Sequence, residues 1–168
     1  MRPAVSGGIL LYRRSDGRLE VLLAHPGGPF WAGRDAGAWT IPKGIAEAGE
    51  ELAAVAIREF AEETGHELPS IATDPGRAPI ELGNVTLKSG KVVHGWAVEG
   101  DLDPERAQSN EAEIEWPPRS GRRMLVPEVD RVAWFDPAEG RRRLHPAQAA
   151  FIDRLEAELG GRCGAARR

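Results

Sequence analysis

Three carboxylates crowd one short stretch of the chain: Glu59, Glu62 and Glu63. On a helix, the spacings i, i+3 and i+4 place them on one arc about 100° wide. Like charges at that separation raise one another's pKa unless a cation neutralises them. Clustered oxygen donors suit hard divalent ions such as Mg²⁺ or Mn²⁺. Arg58 is adjacent and can pair with Glu62 at i+4 or hold a neighbouring glutamate in place. Taken alone, the run reads first as a solvated acidic helix face with a routine surface ion pair.

The elements that must present these side chains are legible around them. Glu50 to Thr64 is rich in Ala, Glu, Leu and Arg and stops at Gly65, which predicts a helix with a glycine C-cap. Ile57 and Phe60, with Ala53 one turn earlier, are expected to face the core. Leu52 and Val55 lie beneath the glutamates. Pro42-Lys43-Gly44 leads into the helix, and Trp39 to Ile41 reads as a short extended piece. Upstream, Val5–Tyr12 and Leu19–Ala24 predict a hairpin turning at Asp16-Gly17, followed by a Gly/Pro-rich loop from His25 to Ala38. Downstream strands are expected at Ile80–Leu87, Val92–Glu99 and Val129–Phe135. Asp101 to Asn110 reads as loop or a short helical turn. Glu111 to Trp116 alternates strictly, so its glutamates would face one way and Ala112, Ile114 and Trp116 the other. Pro146 opens a last helix to about Leu159. This order predicts an α+β or α/β fold, helices covering a mostly mixed sheet, in a single domain over residues 1–160 with a disordered tail at 161–168.

The spacing upstream of the carboxylates is more specific than the carboxylates themselves. Gly44 is followed by five residues, Glu50, seven residues, Arg58-Glu59-Phe60, one residue, Glu62-Glu63, one residue and Gly65. This resembles the Nudix box, and every fixed polar and glycine position matches. His66 departs from it, standing where the pattern has an aliphatic residue. The run Trp39-Thr40-Ile41-Pro42-Lys43-Gly44 is similar to the form seen in diadenosine and diphosphoinositol polyphosphate hydrolases. His25 to Trp31 and Glu115 to Gly121 are similar to a bacterial, MutT-like subgroup with a Trp-x-x-Pro-Lys-Gly box, described as nucleoside triphosphate pyrophosphohydrolases.

The resemblance implies an α/β/α sandwich with a mixed central β-sheet. It implies divalent-metal-dependent hydrolysis of a diphosphate bond in a nucleoside or dinucleoside polyphosphate, by water attack on phosphorus. Glu59 and Glu63 would be the main metal ligands, with Mg²⁺ or Mn²⁺ as the ion. Glu62 would be the general base, with a further role at the metal. Arg58 would orient Glu59, and Glu50 would support the loop–helix junction. The Lys43 carbonyl would complete the metal shell, and Gly44 would let the backbone approach. The Lys43 ammonium and Arg119, beside Arg122 and Arg123, would bind phosphates. Many members bring in a distant carboxylate, for which Glu113 or Glu115 is the candidate. The plainer reading of both is an exposed acidic edge. Phe30 and Trp31 read as loop packing before base stacking. The alternative to an enzyme is a Nudix-fold nucleotide-binding or sensor module.

Composition narrows the partners. The 168 residues carry 22 Lys and Arg against 26 Asp and Glu, a net charge of −4. That balance argues against polymeric nucleic acid and anionic membranes; the partner the resemblance implies is a small phosphorylated substrate, a nucleotide. No apolar run approaches the ~20 residues of a membrane span. Met1 to Ala4 lack the long apolar stretch of a signal peptide. The lone Cys163 excludes a disulfide framework. A cytoplasmic protein is expected, as monomer or homodimer.

Overall fold

The computed structural model describes residues 2–165. Strands β1 (Val5–Ser15) and β2 (Arg18–Pro26) pair antiparallel. Asp16 and Gly17, at φ 50° and 76°, make the two-residue turn that a right-twisted hairpin needs. Residues 6 to 12 of β1 are buried without alternation, the mark of a central strand covered on both faces. Its neighbours are β2, the short β3 (Lys43–Ile45), and β5 (Val92–Glu99), which runs parallel to it from Val5↔Val92 to Tyr12↔Glu99. With β4 (Ile80–Thr86) and β8 (Val129–Phe135), the sheet order is β4-β5-β1-β2-β8, with β3 on β1. The sheet is mixed and the architecture is the expected α/β sandwich.

Helix α1 (Leu52–Thr64) covers one face and α4 (Ala149–Ala165) the other. Successive β1 side chains serve opposite cores, as the strand period of two requires. Ile9 and Leu11 pack with Ala56 and Phe60, whereas Leu10 and Tyr12 pack with Phe151, Ile152 and Leu155. A Cβ on Gly7 would lie 2.4 Å from the Leu52 carbonyl oxygen, so glycine there lets α1 settle directly on β1.

Several features differ from the sequence expectation. The core side of α1 carries Val55, Ala56 and Phe60, while Ile57 is 37% exposed and Ala53 is only partly covered. The helix is rotated so that Glu59 and Glu63 turn inward and Ile57 is left outside. Glu111–Glu115 (β6) does alternate with its glutamates outward, but it pairs with Arg123–Pro127 (β7), a strand the pattern did not reveal. The two form a ribbon outside the main sheet. Two short helices were not expected: α2 (Leu68–Ile71) and α3 (Pro137–Arg143). The last helix continues past Leu159 to Ala165, where a tail was expected; residues 166–168 of that tail lie outside the described residues.

Candidate active site

Glu59 and Glu63 stand one turn apart on α1, and each is only 8% exposed. A third carboxylate reaches them from Glu128, the single residue between β7 and β8. One oxygen from each of the three lies within 4.8 Å of the others. Glu62 stands outside this trio. Its side chain is 40% exposed and accepts from Arg58 Nη1 at 3.3 Å. The same nitrogen donates to Glu59 Oε1 at 3.0 Å, and Arg58 Nη2 donates to Glu50 Oε1 at 3.4 Å. The other oxygen of Glu50 accepts from the Glu47 N–H at 2.8 Å. One guanidinium thus holds Glu59 while anchoring to the loop that enters the helix.

The loop before α1 completes the floor. Gly44 packs against the Glu59 carboxyl, and the Lys43 N–H donates to Glu63 Oε2 at 3.0 Å. Burial pushes the Glu63 carboxyl up to about 8, against the pull of the Lys43 ammonium and N–H. Burial also raises Glu59, helped by the charge of Glu62 and opposed by Arg58. The Lys43 ammonium is lowered by burial, with Glu63 opposing and Lys91 assisting.

Main-chain bonds place the third carboxylate. The Glu128 N–H donates to the Asn110 carbonyl at 2.9 Å, and the Asn110 N–H donates to the Glu62 carbonyl at 2.9 Å. On the other side, the Gly27 N–H donates to the Glu128 carbonyl at 3.1 Å. Glu128 is therefore tied through the backbone to α1 and to the start of the glycine-rich loop. Two of the trio, Glu59 and Glu128, line a cleft of about 360 Å³. Lys43, Gly44 and Ile45 from β3, Lys91 from the β4–β5 turn, and Ser6 complete most of its wall.

The remaining candidates lie elsewhere. Arg119 occupies the β6–β7 turn at φ 61°, exposed, and does not line the cleft. Glu113 pairs with Arg123 at 3.0 Å, and Glu115 accepts from the Gly121 N–H at 2.8 Å. Both glutamates therefore serve the ribbon, and the distant carboxylate is Glu128. Phe30 and Trp31 meet edge-to-face at 4.9 Å, with the Arg34 guanidinium 4.2 Å over Phe30. Sequence reasoning missed Glu128 and Lys91. Glu128 reads as a turn acid after Pro127, and Lys91 as one end of a polar hairpin.

The donor set fits a hard divalent cation. It is all oxygen, carries three formal negative charges, and includes two desolvated carboxylates. The Lys43 N–H bonds one oxygen of Glu63 and Arg58 Nη1 bonds one of Glu59.

A mixed sheet between helices with an inward acidic stripe defines the class. The NUDIX domain family model matches residues 2–155, and the chain belongs to that family. It is a hydrolase by class, a Nudix hydrolase. Among solved structures it is similar to a C. elegans Ap4A hydrolase in a binary complex, at 20% identity and TM-score 0.65. That likeness covers 93% of this chain and 98% of the other. It is similar to the NUDIX domain of Shewanella oneidensis NrtR complexed with ADP ribose, at 18% identity and TM-score 0.63, covering 95% and 90%. It is also similar to RenU, a Nudix hydrolase from M. smegmatis, at 17% identity and TM-score 0.55, covering 93% and 86%. At these identities the likeness shows the fold. No curated protein matches the sequence. No helix among the described residues is long and apolar enough to cross a membrane.

Proposed function

We propose that the protein hydrolyses a diphosphate bond in a nucleoside polyphosphate or dinucleoside polyphosphate, with Mg²⁺ or Mn²⁺ as cofactor. The observation that carries this reading is the pairing of opposite charges around one cleft. Glu59 and Glu128 share its lining with Lys43 and Lys91. A polyphosphate is the anion that needs both, with cations bound to the carboxylates and ammonium groups on its free oxygens. One of the similar structures is described as an Ap4A hydrolase and another as complexed with ADP ribose, which supports a nucleotide as the substrate class.

Glu59, Glu63 and Glu128 would hold the metal. The bound ion supplies charge neutralisation of the diphosphate and a water of lowered pKa. The remaining work falls to the chain. Arg58 locks the Glu59 carboxylate, so the ligand is presented without conformational search. Gly44 keeps the floor open to the substrate, since any side chain there would displace Glu59. Lys43 and Lys91 meet phosphate oxygens in the cleft. Glu62, outside the ligand trio and held beside Glu59 by Arg58, accepts the proton of the attacking water. Arg119, at the ribbon turn, serves the far end of the longer substrates.

The deciding experiment incubates the protein with dinucleoside polyphosphates, canonical and oxidised nucleoside triphosphates, ADP-ribose and diphosphoinositols, with Mg²⁺ or with EDTA. Products are identified by chromatography and mass spectrometry. Metal-dependent cleavage of one class establishes the reading. Tight nucleotide binding with no product from any of them would replace it with a sensor module.

A further inference from the structure

His25 closes β2 and is wholly buried. Its Nδ1 lies 2.9 Å from Asp130 Oδ1, and its Nε2 lies 2.7 Å from the Arg34 carbonyl oxygen. Both ring nitrogens are thus engaged, one by a carboxylate and the other by a main-chain carbonyl. The Trp39 ring packs edge-on at 5.1 Å, and the Arg131 guanidinium lies 5.1 Å over that same ring. His25 is thus a buried ring bonded to two different segments.

Those segments flank Glu128. Asp130 follows Glu128 by two residues at the start of β8. Arg34 belongs to the glycine-rich loop, whose first residue after β2, Gly27, donates to the Glu128 carbonyl. A Cβ on Gly27 would lie 1.9 Å from the Pro127 carbonyl oxygen, so loop and strand are in direct contact there. We propose that His25 is a positioning residue: by bonding Asp130 and Arg34 together it clamps the glycine-rich loop to the β7–β8 junction and so fixes Glu128 against Glu59 and Glu63. This rests on the reading of that trio as the metal site. His25 touches none of the three. It acts through Asp130 and the backbone at residues 27–28 and 127–128. Removing either partner breaks the link between the loop and the strand, so the clamp is lost.

The test measures Mn²⁺ affinity of the full chain by titration followed by electron paramagnetic resonance, with folding checked by near-ultraviolet circular dichroism. Glu63→Gln serves as the control for the metal site. His25→Phe and Asp130→Ala should each weaken Mn²⁺ binding by roughly tenfold or more, the scale of lost outer-sphere support. Asp130→Asn should stay near the parent, because its amide N–H can donate to a neutral Nδ1 while Nε2–H still serves Arg34. A merely structural histidine would lower thermal stability and leave the Mn²⁺ dissociation constant of the folded protein unchanged. Should His25→Phe fail to fold, Asp130→Ala alone decides, since that carboxylate is part-exposed. Unchanged affinity in folded Asp130→Ala, with affinity lost in Glu63→Gln, overturns the clamp alone. Unchanged affinity in Glu63→Gln overturns the metal site and the clamp with it.

Discussion

A methyl group placed on Gly44 would lie 1.9 Å from the Cδ of Glu59 and 2.3 Å from either of its oxygens. The contact is to a side chain, but one whose carboxylate is also held by Arg58. Gly44→Ala should therefore displace a ligand without unfolding the sheet. The expected outcome is a loss of about two orders of magnitude in turnover, the usual effect of moving a reacting group by an ångström. Near-parent melting with parent-like turnover would show that Glu59 is not needed where it stands.

Mg²⁺ should stabilise the protein, because an ion that binds only the folded state adds free energy by mass action. At a hundredfold excess over its dissociation constant that is about 2.7 kcal/mol. In Glu63→Gln the Mg²⁺-induced rise in Tm should vanish. The metal-free Tm should not fall, since a buried carboxyl that resists ionisation is replaced by a neutral amide. Turnover should drop by orders of magnitude. A Mg²⁺ shift preserved in the variant would place the ion elsewhere.

Lys91→Ala should act on substrate affinity. Lys91 lines the cleft beside Lys43 and bonds no member of the trio, so its loss removes a charged partner of the phosphates. A hydrogen bond to a charged group is worth about 1.5 kcal/mol or more, which is about tenfold in KM. A change confined to kcat would argue for a place at the reacting centre instead.

Arg143 links Asp35 and Glu139, and Asp35 also accepts from Trp39 Nε1 at 2.7 Å. These bonds hold Asp35 below its usual 3.8, through Trp39 first and then Arg143. They hold Glu139 below 4.5, through Arg143 first. Both folded-state values are depressed, so the stabilisation is present above the unfolded values and is lost as pH falls through the folded ones. The Tm difference between parent and Arg143→Met should be open at pH 7 and close below about pH 4. A difference independent of pH would assign Arg143 to packing against Phe135, whose ring lies 5.4 Å from its guanidinium.

What the sequence disclosed follows the distance over which each signal acts. Glu59 and Glu63 were legible because one helix spaces them, and Arg58 because it is their neighbour. Glu128 was not, since a relay of main-chain bonds through Asn110 delivers it from far along the chain, and no local pattern encodes such a relay. Strand β7 was hidden because Arg123 and Pro127 bracket only three apolar residues. Helix α3 carried its own signal in Asp136-Pro137-Ala138-Glu139, an N-cap with proline at the first helical position, and Asp136 does accept from the Glu139 N–H at 2.8 Å. Ile57 was assigned inward because apolar residues generally are, but the cleft claims that side of α1 for carboxylates.

The bonds that hold Glu128 to α1 and to Gly27 use amides and carbonyls alone. Peptide groups are common to every amino acid except for proline's missing N–H. The outward side chains of the neighbouring ribbon, Glu111, Glu113, Leu125 and those of the turn at Arg119, can therefore be rewritten without disturbing the third carboxylate. Selection is left a surface on which to try new specificities while the hydrolytic centre stays put.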